Sequence, residues 1–174
     1  MLVNEWIETL WAVLNVRPKT LSNYKHHYHK YLEPIMGNTE LDEVKPIEIQ
    51  KCLLALPPQT SRHVLMLVKT IYRDAALYGH TSINPTIGLK TPTIQLKDKK
   101  FFTWDEVDGR DWGRYNEQIR FLALHGLRWS EAVILTESDI RDGFVFISKS
   151  VHGPCKSKSS VRKVPYLGAL QTTS

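Results

Sequence analysis

The sequence predicts an α+β fold that is mostly α: a four-helix N-terminal unit, then a smaller unit of short helices and an antiparallel β-hairpin. Three observations carry this. Apolar residues recur at helical spacing from Val3 to Ala75. Residues 79–100 hold two prolines, two glycines, several threonines and a lysine-rich end, and 88–100 lose that period. Aromatic and β-branched runs then appear at 143–151 and 161–166. The expected organisation is a helical unit over 1–90, a linker over 91–100 and a second unit over 101–174.

Each element follows from local chemistry. "VNEWIETLWAVL" places Val3, Trp6, Ile7, Leu10, Val13 and Leu14 on one face of a first helix. A second helix starts near Thr20 as N-cap and runs to Gly37 as the residue just past its end. Its apolar face is Leu21, Tyr24, Tyr28, Tyr31, Leu32 and Ile35, with Lys25, His26, His29 and Lys30 largely opposite. Pro46 suits the first turn of a third, shorter helix, and Pro57 ends it. The fourth spans about Gln59 to Tyr78. Its stripe is Val64, Leu65, Val68, Ile71, Tyr72 and Ala75, and Arg62, Lys69 and Arg73 lie off it.

In the second unit, Thr103 and Glu106 form a capping box that starts a helix near Trp104. Another helix covers roughly Asn116–His125. "LHGLRWSEAVIL" reads as two helical stretches broken at Gly126, with Arg128 opening the second. "VHGPCKSKSS" forms a turn or hairpin tip, "VRKVPY" the returning strand, and "LGALQTTS" the start of a further helix.

Composition narrows the function. Hydrophobic residues make up 42% and charged residues 24%, the profile of a globular chain. No apolar run approaches the ~20 residues of a membrane span, and "MLVNEWIETLW" lacks the marks of a signal peptide. A cytoplasmic location is expected. Cys52 and Cys155 form no CxxC pair and have no zinc spacing to a histidine, so neither a metal nor a cofactor is expected. Cys52 reads as a small core residue. The net charge is +5. From Lys149 to Lys163 the chain carries Lys149, Lys156, Lys158, Arg162 and Lys163 and no acid, which favours nucleic acid as partner.

The order of these signals resembles the tyrosine recombinases, in particular phage-type integrases. The resemblance rests on His125-Gly126-Leu127-Arg128-Trp129-Ser130-Glu131 with Asp139-Ile140, on "KSKSSVRKVPYL", and on a helical unit containing "INPTIGL" before them. It covers essentially the whole chain. His125 is a departure, since the family often has Thr there. The resemblance implies a core-binding, SAM-like helical domain followed by the first part of a catalytic domain. It implies site-specific recombination, or phage DNA integration, through a 3′-phosphotyrosyl intermediate. Arg128 would be the first arginine clamping the scissile phosphate, a task suited to a planar, permanently charged fork. Glu131 would be its supporting acid. Lys156 would protonate the leaving 5′-hydroxyl, with Lys158 and then Lys149 as competitors.

Local chemistry alone leaves other readings open: Arg128 as a helix-terminal arginine paired with Glu131 or Asp139, and the lysines as a solvated tip. The DNA-binding set implied is Lys19, Thr20, Lys25, Arg62, Lys69, Arg73, Lys158 and Arg162, with the second and fourth helices toward the major groove. The partner is double-stranded DNA at attachment-type sites, and intact family members act as tetramers. A bacterial host cell is implied, with nucleoid association when DNA is bound. The family's second arginine box, of the form H-x-x-R, is expected to be absent from the chain, and Tyr166 falls in the "VPY" strand rather than at a nucleophile's position. The chain is therefore expected to stop inside the catalytic domain, to begin directly at the core-binding domain, and to be inactive alone. Two other classes are a catalytically inactive DNA-binding remnant or regulator of recombination sites, and a helical protein-interaction module.

Overall fold

The computed structural model describes residues 1–94, 100–151, 153–154 and 160–168. The chain forms two compact units that divide between Lys97 and Asp98. Among the described residues no helix is long and apolar enough to cross a membrane.

The first unit is helical. Helix α1 spans Val3–Val13, α2 Pro18–His27 and α3 Glu33–Met36, with a π-helical turn at Tyr28–Leu32 joining α2 to α3. Helix α4 spans Pro46–Ala55 and α5 Pro58–Leu77. Proline opens α2, α4 and α5, where its missing N–H costs nothing. Trp6, Leu10, Leu32, Leu53, Val68 and Ile71 belong to one large buried cluster that α1, the π turn, α4 and α5 share. Polar groups inside it are paired. Trp6 Nε1 donates to the Ile71 carbonyl (3.1 Å), Tyr72 Oη to the Leu41 carbonyl (3.1 Å), and Tyr28 Oη to Asn4 Oδ1 (2.6 Å). Such bonds cancel the desolvation that burying these groups would otherwise cost.

Four local expectations are corrected here. Thr20 is not an N-cap: Pro18 starts α2 one turn earlier, and Arg17 takes that position. Gly37 is right-handed (φ −57°), so its role is space. A Cβ there would come within 2.8 Å of Asn4 Oδ1 and of the Glu33 carbonyl oxygen. Ile35 and Val13 are exposed, and Met36 and Trp11 are buried instead. At Met36 the π turn supplies the reason: its wider i→i+5 pitch rotates the following residues about the helix axis. Cys52 is half-buried, with its thiol against the Tyr31 carbonyl (3.5 Å).

The second unit holds α6 (Trp104–Asp108), α7 (Asn116–His125) and α8 (Trp129–Ala132). Thr103 Oγ1 accepts from Glu106 N and Glu106 Oε2 from Thr103 N, which closes the expected capping box. Strands β1 (Ile140–Arg141), β2 (Phe144–Ile147) and β5 (Arg162–Pro165) form an antiparallel sheet in the order β1-β2-β5. The register pairs Val145 with Val164 and Ile147 with Arg162. A second ribbon joins β3 (Lys149–Ser150) to β4 (Gly153–Pro154). Val145 and Ile147 point inward against Phe121 and Leu127. The expected returning strand and its pairing are thus present. Lys156, Lys158, Cys155, His152 and the last residues of "LGALQTTS" lie outside the described residues.

Candidate functional site

The break between α7 and α8 sets the site's geometry. Gly126 adopts φ +59°, ψ +36°, the left-handed conformation that closes a helix and that glycine takes without a Cβ penalty. The chain reverses, and Arg128 becomes the N-cap of α8 in an extended conformation. Glu131, at the third position of α8, reaches back to the Arg128 backbone N–H (3.0 Å), the carboxylate half of a capping box.

The same carboxylate gathers two guanidinium groups. Arg128 Nη1 donates to Glu131 Oε1 (2.8 Å). Arg162, arriving on β5, donates from Nη1 to Oε1 (3.1 Å) and from Nη2 to Oε2 (2.9 Å), a two-pronged fork. Arg162 Nη2 also meets the Gly126 carbonyl (3.3 Å). The Glu131 side chain is 5% exposed, that of Arg162 28%, and that of Arg128 70%. The Arg162 fork, followed by the hydrogen bonds from Arg128, lowers the Glu131 carboxyl to about 2 against the opposing effect of burial. Glu131 is an anchored anion, Arg162 an inner strut, and Arg128 the outward cation.

The hairpin root is tied to the same helix: Val151 N donates to the Ser130 carbonyl (2.9 Å). This places β3, with the exposed Lys149, against α8. Asp139, the alternative partner for Arg128, is instead committed to Thr136, accepting from its N–H (3.0 Å) and its hydroxyl (2.9 Å).

His125 has a structural task that the sequence did not disclose. Its ring is buried, with Nδ1 against the Phe121 carbonyl (2.8 Å) and Nε2 accepting from Leu167 N–H (3.1 Å). Those partners fix the neutral tautomer that carries its proton on Nδ1. It stacks on Tyr166 with ring centroids 5.8 Å apart. His125 and Arg128 also have H-x-x-R spacing, which corrects the expectation that the chain holds none. With both ring nitrogens engaged in packing α7 on the strand end, His125 acts there as a clasp.

In the first unit, Lys19, Lys25, Arg62, Lys69 and Arg73 are exposed on α2 and α5, and Thr20 is half-buried. Arg73 is held by Asp74 (2.6 Å). These two helices pack on each other, so the basic residues of both belong to one unit.

Residues 1–56, which cover α1 to α4, match the family described as phage integrase, N-terminal SAM-like domain. No curated protein matches the chain in sequence. Among solved structures, a lambda integrase dimer bound to a COC′ core site matches with a TM-score of 0.78 at 18% identity, over 95% of this chain and 62% of that one. The Tn1549 transposon integrase in complex with transposon right-end DNA gives 0.74 at 20% identity, over 95% and 61%. A lambda integrase tetramer bound to a Holliday junction gives 0.77 at 16%, over 95% and 48%. The chain thus spans about half to three fifths of the chains it matches. Residues 1–56 thus match the phage integrase N-terminal SAM-like domain, and the fold of the chain is similar to that of the lambda and Tn1549 integrases.

Proposed function

We propose that this chain is a DNA-binding polypeptide of tyrosine-recombinase-type integration, which grips duplex DNA through α2 and α5 and receives a backbone phosphate on Arg128. One observation carries the reading. A buried carboxylate with two arginines is an expensive arrangement, and here it leaves one guanidinium 70% exposed and pinned through a single Nη1 contact. A preorganised cation of this kind is what a phosphorane needs, because its donors are in place before charge develops.

In the proposed reaction a tyrosine oxygen attacks the scissile phosphorus. The 5′-oxygen departs with a proton from a hairpin lysine, Lys156 or its neighbour Lys158, and a 3′-phosphotyrosyl bond forms. The tyrosine and the second arginine box are not assigned to residues of this chain. Tyr166 is stacked on His125 and serves the core. The attachment-type sites, the tetramer on DNA and the nucleoid location belong to the same proposal.

The test is a fluorescence-anisotropy titration with duplex DNA. With ~6 phosphates contacted, log affinity falls with log salt at a slope near −5. Arg128→Ala reduces that slope by about one. Absence of binding at low salt would sink the reading.

A further inference from the structure

The first unit holds a cluster of histidines that the phosphate clamp does not use. His27, on α2, lies between His26 (ring centroids 5.7 Å) and His63 of α5 (5.9 Å), and it stacks on Tyr31 (5.9 Å). His27 and His63 line a cleft of about 290 Å³ together with Thr20, Asn23, Tyr24 and Met66. The cleft lies between the helices that carry Lys19, Lys25, Arg62 and Lys69.

Its electrostatics are one-sided. Burial lowers the readiness of His27 to ionise, and His26, His63 and Lys30 lower it further, all of one sign when protonated. His29, two residues on, is different: it has Glu33 at 2.8 Å. The Nδ1 of His27 is buried without a hydrogen-bond partner among the described residues. His63 Nε2 is 3.2 Å from the Gln59 amide, which can turn to present oxygen to an imidazolium. The phenols of Tyr24 and Tyr31, and the Cys52 thiol at the Tyr31 carbonyl, complete the titratable surroundings. A divalent metal would meet the repulsion of Lys30. An anion would relieve it.

We propose that the cleft between α2 and α5 is a proton-linked phosphate site, in which a DNA backbone phosphate sits between His27 and His63 and binding draws a proton onto the pair. The inference rests on the DNA-binding reading above. Free, His27 resists ionisation. Occupied, the phosphate charge offsets the mutual repulsion, and the imidazolium donates to a phosphate oxygen. Linkage gives the sign: affinity rises as pH falls, by at most about tenfold per pH unit for a whole proton, and an average uptake of about half a proton over pH 6–8 gives about tenfold in all.

Anisotropy titrations with one duplex at pH 6, 7 and 8, at constant ionic strength and with EDTA throughout, compare the native chain with H27Q/H63Q. The expected result is a native affinity about tenfold tighter at pH 6 than at pH 8, and a much flatter dependence in the variant. Far-UV circular dichroism checks folding at each pH, and His63→Gln alone, at an exposed position, carries the comparison if the double variant melts. Equal pH dependence in native and variant proteins, or a flat native profile, overturns the histidine site and leaves DNA binding standing. No binding at pH 8 in low salt overturns the DNA-binding reading itself.

Discussion

Glu131 is the side chain on which the second unit turns. Its carboxyl lies at about 2 in the folded chain against an ordinary 4.5. The folded pKa is depressed, so the stabilisation is fully present above pH 4.5 and is lost as pH falls toward 2. A shift of this size corresponds to roughly 3 kcal/mol. Urea titrations between pH 7 and pH 3 should show that loss in the native protein and not in Glu131→Gln, which starts lower. The two arginines separate cleanly. Arg162→Met leaves a buried carboxylate without its fork and costs about 3 kcal/mol in urea denaturation. Arg128→Ala removes one contact from a side chain that is 70% exposed and costs under about 1 kcal/mol, while weakening DNA binding. The sequence offered Arg128 as a clamp arginine and Arg162 as a DNA contact. It could not show that both reach Glu131, because the same charge and fork serve a carboxylate or a phosphate. Only the pairing of Ile147 with Arg162 in the sheet brings Arg162 inward.

At the scale of elements, the long periodic segments were legible and the short or irregular ones were not. α5 follows its apolar stripe for twenty residues, with the start at Pro58. β1 is two residues long and α8 four, too short for either period to register. The π turn at Tyr28–Leu32 has no recognisable composition, and it moved a core position from Ile35 to Met36. His125 was noticed as a departure, yet its clasp on Leu167 N–H depends on a contact 42 residues away. Gly126 was read as a break, and its left-handed backbone explains why. Gly126→Ala should cost about 1 kcal/mol by chemical denaturation. The two units differ in what they bury. Residues 1–94 share one large cluster, whereas the second unit's buried cluster among the described residues is Phe121, Leu127, Val145 and Ile147. Expressed alone, 1–94 should melt cooperatively by circular dichroism. The second unit alone should melt broadly, because so small a core offers little to offset chain entropy.

At the scale of the whole molecule, the proposed function predicts that DNA binding and strand cleavage separate. The chain should bind DNA with steep salt dependence and yet form no covalent adduct on a nicked suicide substrate resolved by denaturing gel. An adduct lost in Tyr166→Phe would mean that Tyr166 leaves its stack on His125 to act as nucleophile. The site's arithmetic points the same way. Arg128, Arg162 and Glu131 together hold a single surplus positive charge. An internal phosphodiester carries a single negative one, so docking it brings the assembly to neutrality, with the carboxylate as a built-in counterion.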